Sequence, residues 1–166
     1  MKKLLPALLL VPAMVMAADK SPDHEFYEEA AQGGMAEVEL GKLAQQKATS
    51  ADVKAFGAMM VKDHTAANEK LKALAAKKGV ELPTKPGIEH TATKAKLEVL
   101  SGETFDKSYV KGMVDDHQDD IEEFEEEAKD GKDADARAFA TATLPTLRTH
   151  LQHIQQIAKK MGVDAD

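Results

Sequence analysis

Cysteine and tryptophan are both absent from the 166 residues, and aromatic residues make up only 4%. Without a thiol there is no disulfide, no thiolate metal site, no cysteine nucleophile and no lipid-anchored N-terminal cysteine. Positive charge is also in short supply. Twenty-two Lys and Arg face 29 Asp and Glu, a net charge of −7, so the phosphate-binding footprint of a nucleic-acid protein is missing. No segment alternates with a period of two, which leaves strands out. There is no phosphate loop, no nucleophile–base–acid pattern and no dinucleotide fingerprint. What is present is Ala, Leu, Lys, Glu and Met, the composition of an all-α chain with an aliphatic core. The length suits one soluble domain.

Positions 1–17 read MKKLLPALLLVPAMVMA. Lys2 and Lys3 form a positive start, Leu4 to Met16 an apolar stretch, and Val15-Met16-Ala17 a small-x-small cleavage signal. The stretch is too short to span a bilayer comfortably, and polar sequence follows from Asp19. It reads as a bacterial-style secretory signal peptide, cleaved after Ala17, with export to the periplasm or beyond. The mature chain, 18–166, then carries no membrane-spanning segment. It reads as a single domain.

Four segments have helical periodicity: 22–48, with Ser21 as N-cap and Pro22 in the first turn; 51–78, capped by Ser50 and stopped by Gly79; 103–129, stopping near Gly131; and 134–161, capped by Asp133 and stopped by Gly162. The first and second, and the third and fourth, are joined by a few residues, so each pair is an antiparallel hairpin. The segment 80–102 contains Pro83, Pro86 and Gly87, with a short helix within 91–100. It is long enough to cross the whole bundle, so the second and third long helices are expected to run parallel. Residues 52–80 and 135–163 also align without a gap at an offset of 83, matching at Asp52/Asp135, Phe56/Phe139, Gly79/Gly162 and Val80/Val163 among others. Gly33-Gly34 inside the first helix marks either a close helix approach or a soft spot.

Each apolar stripe carries one strong polar residue near its middle: Glu37, His64, His117 and His150. Counting 1.5 Å per residue from the turns, and letting side chains lean toward their own N-termini, brings the four to one level. Three imidazoles and a carboxylate suit a divalent or copper ion. Asp63, Asp116 and Asp120 flank the level as further ligands or as acceptors for imidazole N–H groups, and His153 is a further ligand candidate. Met60 and Met113 each precede a histidine by four residues within Met-Val-x-Asp-His. That spacing favours copper if the thioethers face the site, and it is core filler if they do not. Metal binding needs neutral imidazole, so affinity is expected to fall as pH drops toward and below about 6.5. The acids of the third long helix, from Asp115 to Glu127, read as a solvated face that draws cations.

With these stretches in view, the chain resembles the ferritin-like family of secreted bacterial proteins known as domain of unknown function DUF4142. The resembling segments are Ala31 to Ala44, Val61-Lys-Asp-His64-Thr65, Phe105-Asp-Lys-Ser-Tyr109, Met113-Val-Asp-Asp-His117 and Leu144 to Leu151. The resemblance implies a four-helix ferritin-like bundle in the cell envelope. Di-iron ferritin-like enzymes use Glu-x-x-His on two helices, and this chain has none, so it does not imply ferroxidase chemistry. Three readings stay open: an exported metal-binding bundle; a metal-free structural or interaction module with a hydrogen-bonded polar core; and, least supported, an enzyme using histidine and carboxylate as acid and base. The sequence names no protein partner, and assembly with further copies of the chain is left open.

Overall fold

The computed structural model describes residues 23–164. The signal peptide, its cleavage after Ala17, and the roles given to Ser21 and Pro22 lie outside the described residues. Five helices and no strand occur among those described: α1 (His24–Lys47), α2 (Ala51–Lys78), α3 (Ile88–Glu98), α4 (Gly102–Asp130) and α5 (Ala134–Met161). The local signals account for the ends of α2 and α5. Ser50 Oγ accepts from the Val53 amide and the Asp133 carboxylate from the Asp135 amide. Gly79 and Gly162 close the helices with φ of 68° and 64°. After each, a valine amide reaches back to an alanine carbonyl: Val80 to Ala75 at 2.9 Å and Val163 to Ala158 at 3.0 Å.

Two apolar clusters fill the interior. One joins the end of α1 (Leu40, Ala44) and the start of α2 (Val53, Phe56) to the start of α4 (Phe105, Tyr109) and the end of α5 (Ile154, Ile157). The other joins the opposite ends through Phe26 and Tyr27, Leu71 and Ala75, Phe124, and Ala136 and Ala140. Hence α2 and α4 start at the same end, and residues 79–101 run from one end to the other. On the way, α3 packs against α1 and α4. Around the bundle, α1 neighbours α2 and α4, and α5 neighbours α4 and α2.

The repeat extends further than the sequence identities. Buried Asp106, at the start of α4, accepts from the amides of Thr49 (3.0 Å) and Ser50 (2.8 Å) in the α1–α2 turn. Buried Asp23, at the start of α1, accepts from the amides of Lys132 (2.9 Å) and Asp133 in the α4–α5 turn. Every member of one clamp lies 83 positions from its counterpart in the other. The two hairpins are therefore quasi-equivalent, each tied by a carboxylate to the turn of the other. Asp106→Ala strands two backbone donors and the Thr49 hydroxyl, and is expected to lower unfolding free energy by about 2–4 kcal/mol in urea denaturation. A loss below about 0.5 kcal/mol would show that water replaces the carboxylate freely.

The close helix approach lies away from Gly33-Gly34. A Cβ on Gly41 would sit 2.6 Å from the Gly57 carbonyl oxygen, and one on Gly57 2.7 Å from that of Gly41. These glycines let α1 and α2 touch backbone to backbone. Gly33 has ordinary space, with Asp120 Oδ1 3.7 Å from a Cβ there, whereas Gly34 makes room for the Asn68 side chain.

Candidate metal centre

The two apolar clusters part at one level, and the polar residues fill the gap. On α1 the sequence passes from Ala31 in one cluster to Leu40 in the other, with Glu37 between. His64 separates Met60 from Leu71, His117 separates Val114 from Phe124, and His150 separates Leu147 from Ile154. Relative exposures of 3% for Glu37, 6% for His64, 0% for His117 and 1% for His150 place this layer well inside the bundle. A buried polar group without a partner costs on the order of 1–3 kcal/mol, so the hydrogen bonds of these four decide what the layer is for.

Three of the four converge. The rings of His64, His117 and His150 form a triangle with centroids 5.4–5.8 Å apart. One ring nitrogen from each lies within 4.8 Å of the other two. The outer nitrogens of two rings are held: His117 Nδ1 faces the Met113 carbonyl at 2.9 Å, and His150 Nε2 faces Asp63 Oδ2 at 3.0 Å. With Nδ1 of His117 donating to a carbonyl, its Nε2 carries a lone pair. His64 Nε2, His117 Nε2 and His150 Nδ1 are all buried and lack a hydrogen-bond partner. Phe56 closes the layer on one side, edge-on to His117 and His150 at 6.1 and 6.4 Å.

Glu37 shares the level but stands behind His117. Its Oε1 is 3.5 Å from His117 Nδ1, the nitrogen already facing Met113, and neither of its oxygens has a hydrogen-bond partner. Asp63 sits behind His150. Asp116 and Asp120 are partly buried near Glu37. His153 is exposed, with its ring against Phe56 at 5.9 Å, and takes no part in the triangle.

Burial holds the imidazoles neutral. It pushes His64 down to about 3, helped by His117 and His150, and His117 down to about 4, helped by His150. His150 is also lowered by burial, against the opposing pull of Asp63. The carboxyls move the other way. Burial, with Asp120 and Asp116 nearby, lifts Glu37 well above the carboxylate range. Burial and neighbouring acids raise Asp116 to about 6 and Asp120 to about 7. The neutral donors meet the protonation state that metal ligation requires. Metal–nitrogen bonds of about 2.1 Å put tetrahedral donors about 3.4 Å apart, so these nitrogens need draw in by little more than 1 Å.

Two features escape the reading of the sequence. The acids of α4 are not all a solvated face: Asp116, Asp120, Glu123 and Glu127 recur at spacings of four, three and four. Burial and like charges raise Glu123 to about 8 and Glu127 to about 7. That helical spacing is the signal that separates them from their exposed neighbours. The buried Tyr109 hydroxyl is also without a partner. Burial, Glu37 and Asp116 hold it well above the ordinary tyrosine value.

The family model described as Domain of unknown function (DUF4142) matches residues 11–157, and the chain belongs to that family. Its fold is similar to the crystal structure of a DUF305 protein from Streptomyces coelicolor, with a TM-score of 0.75 and 11% identity over 90% of this chain and 99% of that one. It is also similar to a DUF305 fragment from Deinococcus radiodurans, with a TM-score of 0.73 and 13% identity over 84% of this chain and 96% of that one. At these identities the likeness is one of fold. No curated protein matches the chain. Among the described residues no helix is long and apolar enough to cross a membrane.

Proposed function

We propose that this member of the DUF4142 family is an exported ferritin-like bundle that binds one transition-metal ion, zinc or copper, on His64, His117 and His150. The observation that carries the reading is the convergence of three buried imidazoles, one ring nitrogen of each lying within 4.8 Å of the other two, together with a buried nitrogen on each ring that has no protein hydrogen-bond partner. Buried polar atoms are normally satisfied, and a shared ion is one partner that would satisfy all three rings at once. Imidazole donors without a direct carboxylate select zinc, copper or nickel over magnesium and calcium, which take oxygen ligands. Asp63 orients His150 from behind, and the Met113 carbonyl does the same for His117. The parallel run of α2 and α4, with a long crossover between them, supports the ferritin-like reading. Export rests on positions 1–17.

The test is elemental analysis of protein purified from the periplasm without a histidine tag, followed by titration of the metal-free form with zinc and copper. One equivalent per chain is expected. A chain that arrives without metal and takes up neither ion at micromolar concentration refutes the reading.

Burial also moves the pH window. Protons compete for the lone pairs of His64 and His117 only as pH approaches their lowered values of about 3 and 4. Affinity, corrected for hydroxide and buffer competition, is therefore expected to begin its fall below the ordinary histidine value. A steep loss beginning at about 6.5, the ordinary histidine value, would show that the ligands are solvated.

A further inference from the structure

The quasi-equivalence of the hairpins gives the histidine triangle a counterpart position. A shift of 83 residues carries His64 onto Leu147, His150 back onto Ala67 and His117 back onto Gly34. Leu147, Ala67 and Gly34 all line one crevice, and its wall also includes His64 and His150 themselves. Glu37 likewise corresponds to Asp120, on the same wall. The duplicated fold thus offers two equivalent places, one in the polar layer and one at the edge of the apolar cluster beside it. One holds three imidazoles. The other carries leucine, alanine and glycine, which supply no ligand, and the missing rings leave a crevice of about 30 Å³ beside the triangle.

We propose that this crevice is the ligand pocket of the centre, admitting one neutral molecule of one or two heavy atoms to the coordination position that three imidazoles leave open. The proposal rests on the metal reading above. Three protein ligands plus an open position is the arrangement of ions that take an exogenous ligand. The volume matches a single water or a diatomic molecule. The lining favours a neutral ligand: Ala30, Leu71, Phe124 and Phe139 are apolar, and the only acidic groups on the wall are Asp63 and Asp120. An anion entering the crevice would meet two carboxyls and no cationic side chain. A second metal ion would find no nitrogen donors on the counterpart side.

Carbon monoxide on the copper(I)-loaded protein, followed by infrared spectroscopy, tests this. Copper(I) affinity is measured in parallel against a chromophoric chelator, and folding by circular dichroism. One carbon monoxide per copper is expected for the unaltered chain. Ala67→Leu, from α2, and Thr143→Leu, from α5, narrow the crevice from facing helices, both at half-buried positions. Each is expected to keep copper(I) affinity within about threefold and to weaken carbon monoxide binding at least tenfold; one folded variant is enough for the comparison. The proposal is overturned if the copper-loaded chain takes no carbon monoxide, if both narrowed variants bind it as well as the parent, or if azide on the copper(II) form binds where carbon monoxide does not. If the chain binds neither zinc nor copper, the metal reading fails and takes this proposal with it. Copper without carbon monoxide overturns the pocket alone.

Discussion

His117→Ala is expected to lower zinc or copper affinity at least a hundredfold and to remove nearly all the thermal stabilisation that the ion confers. On the proposed reading His117 supplies one of three nitrogens, and two imidazoles no longer enclose an ion. At a free ion concentration one hundred times the dissociation constant, binding stabilises the native chain by about 2.7 kcal/mol. For a chain of this size that raises the melting temperature by roughly 5–10 °C. The ion-free variant loses a buried ring and gains a cavity, so it melts somewhat lower than the ion-free parent, but its helices are held by the two apolar clusters on either side. The decisive readout is the difference between melts with and without ion. His153→Ala serves as control: its ring is exposed and outside the triangle, so the full shift is expected to remain. Equal shifts in the parent and in His117→Ala would place the ion elsewhere.

The ion-free protein is expected to become more stable as pH falls from 8 to 6.5, by on the order of 2 kcal/mol, the opposite of ordinary acid sensitivity. Glu123, raised to about 8, and Asp120, raised to about 7, bind protons in the folded chain at pH values where the unfolded chain, with carboxyls near 4, does not. More protons bound in the native state means that stability drops as pH rises through 6.5 to 8. Below about 6.5 the histidines oppose the trend and lessen the slope, because unfolding lets them take up protons that the folded chain refuses. Glu123→Gln removes one of the raised carboxyls and should both stabilise the protein at pH 8 and flatten the slope. Urea denaturation at three pH values checks this, and a stability that climbs steadily from pH 6.5 to 8 would contradict it.

The level of the polar layer was legible in the sequence because height along a helix is simple counting. Glu37, His64, His117 and His150 each interrupt an apolar stripe at a distance from a turn that the 1.5 Å rise converts directly. Rotation about the helix axis is not counted so easily. Glu37 shares the level yet faces the outer nitrogen of His117 and the acids of α4. Its stripe position could not separate a ligand from a residue one side chain further out. The glycine contact illustrates a different blind spot. Gly33-Gly34 stands out as a pair, whereas Gly41 and Gly57 are far apart in sequence and meet only when the hairpin closes. The clamps of Asp23 and Asp106 were hidden for the same reason, since each carboxylate reaches the turn of the other hairpin. The crevice beside the histidines is defined by what is missing, and it becomes visible only once the 83-residue shift is laid over the three-dimensional layer.

The most direct measurement is anomalous diffraction from crystals of the metal-loaded protein, recorded on either side of the zinc or copper absorption edge. One strong peak is expected inside the triangle, about 2.1 Å from His64 Nε2, His117 Nε2 and His150 Nδ1, with Asp63 still on the far nitrogen of His150. A triangle bridged by ordered water, with the ion bound only to acids along α1 and α4, would contradict it.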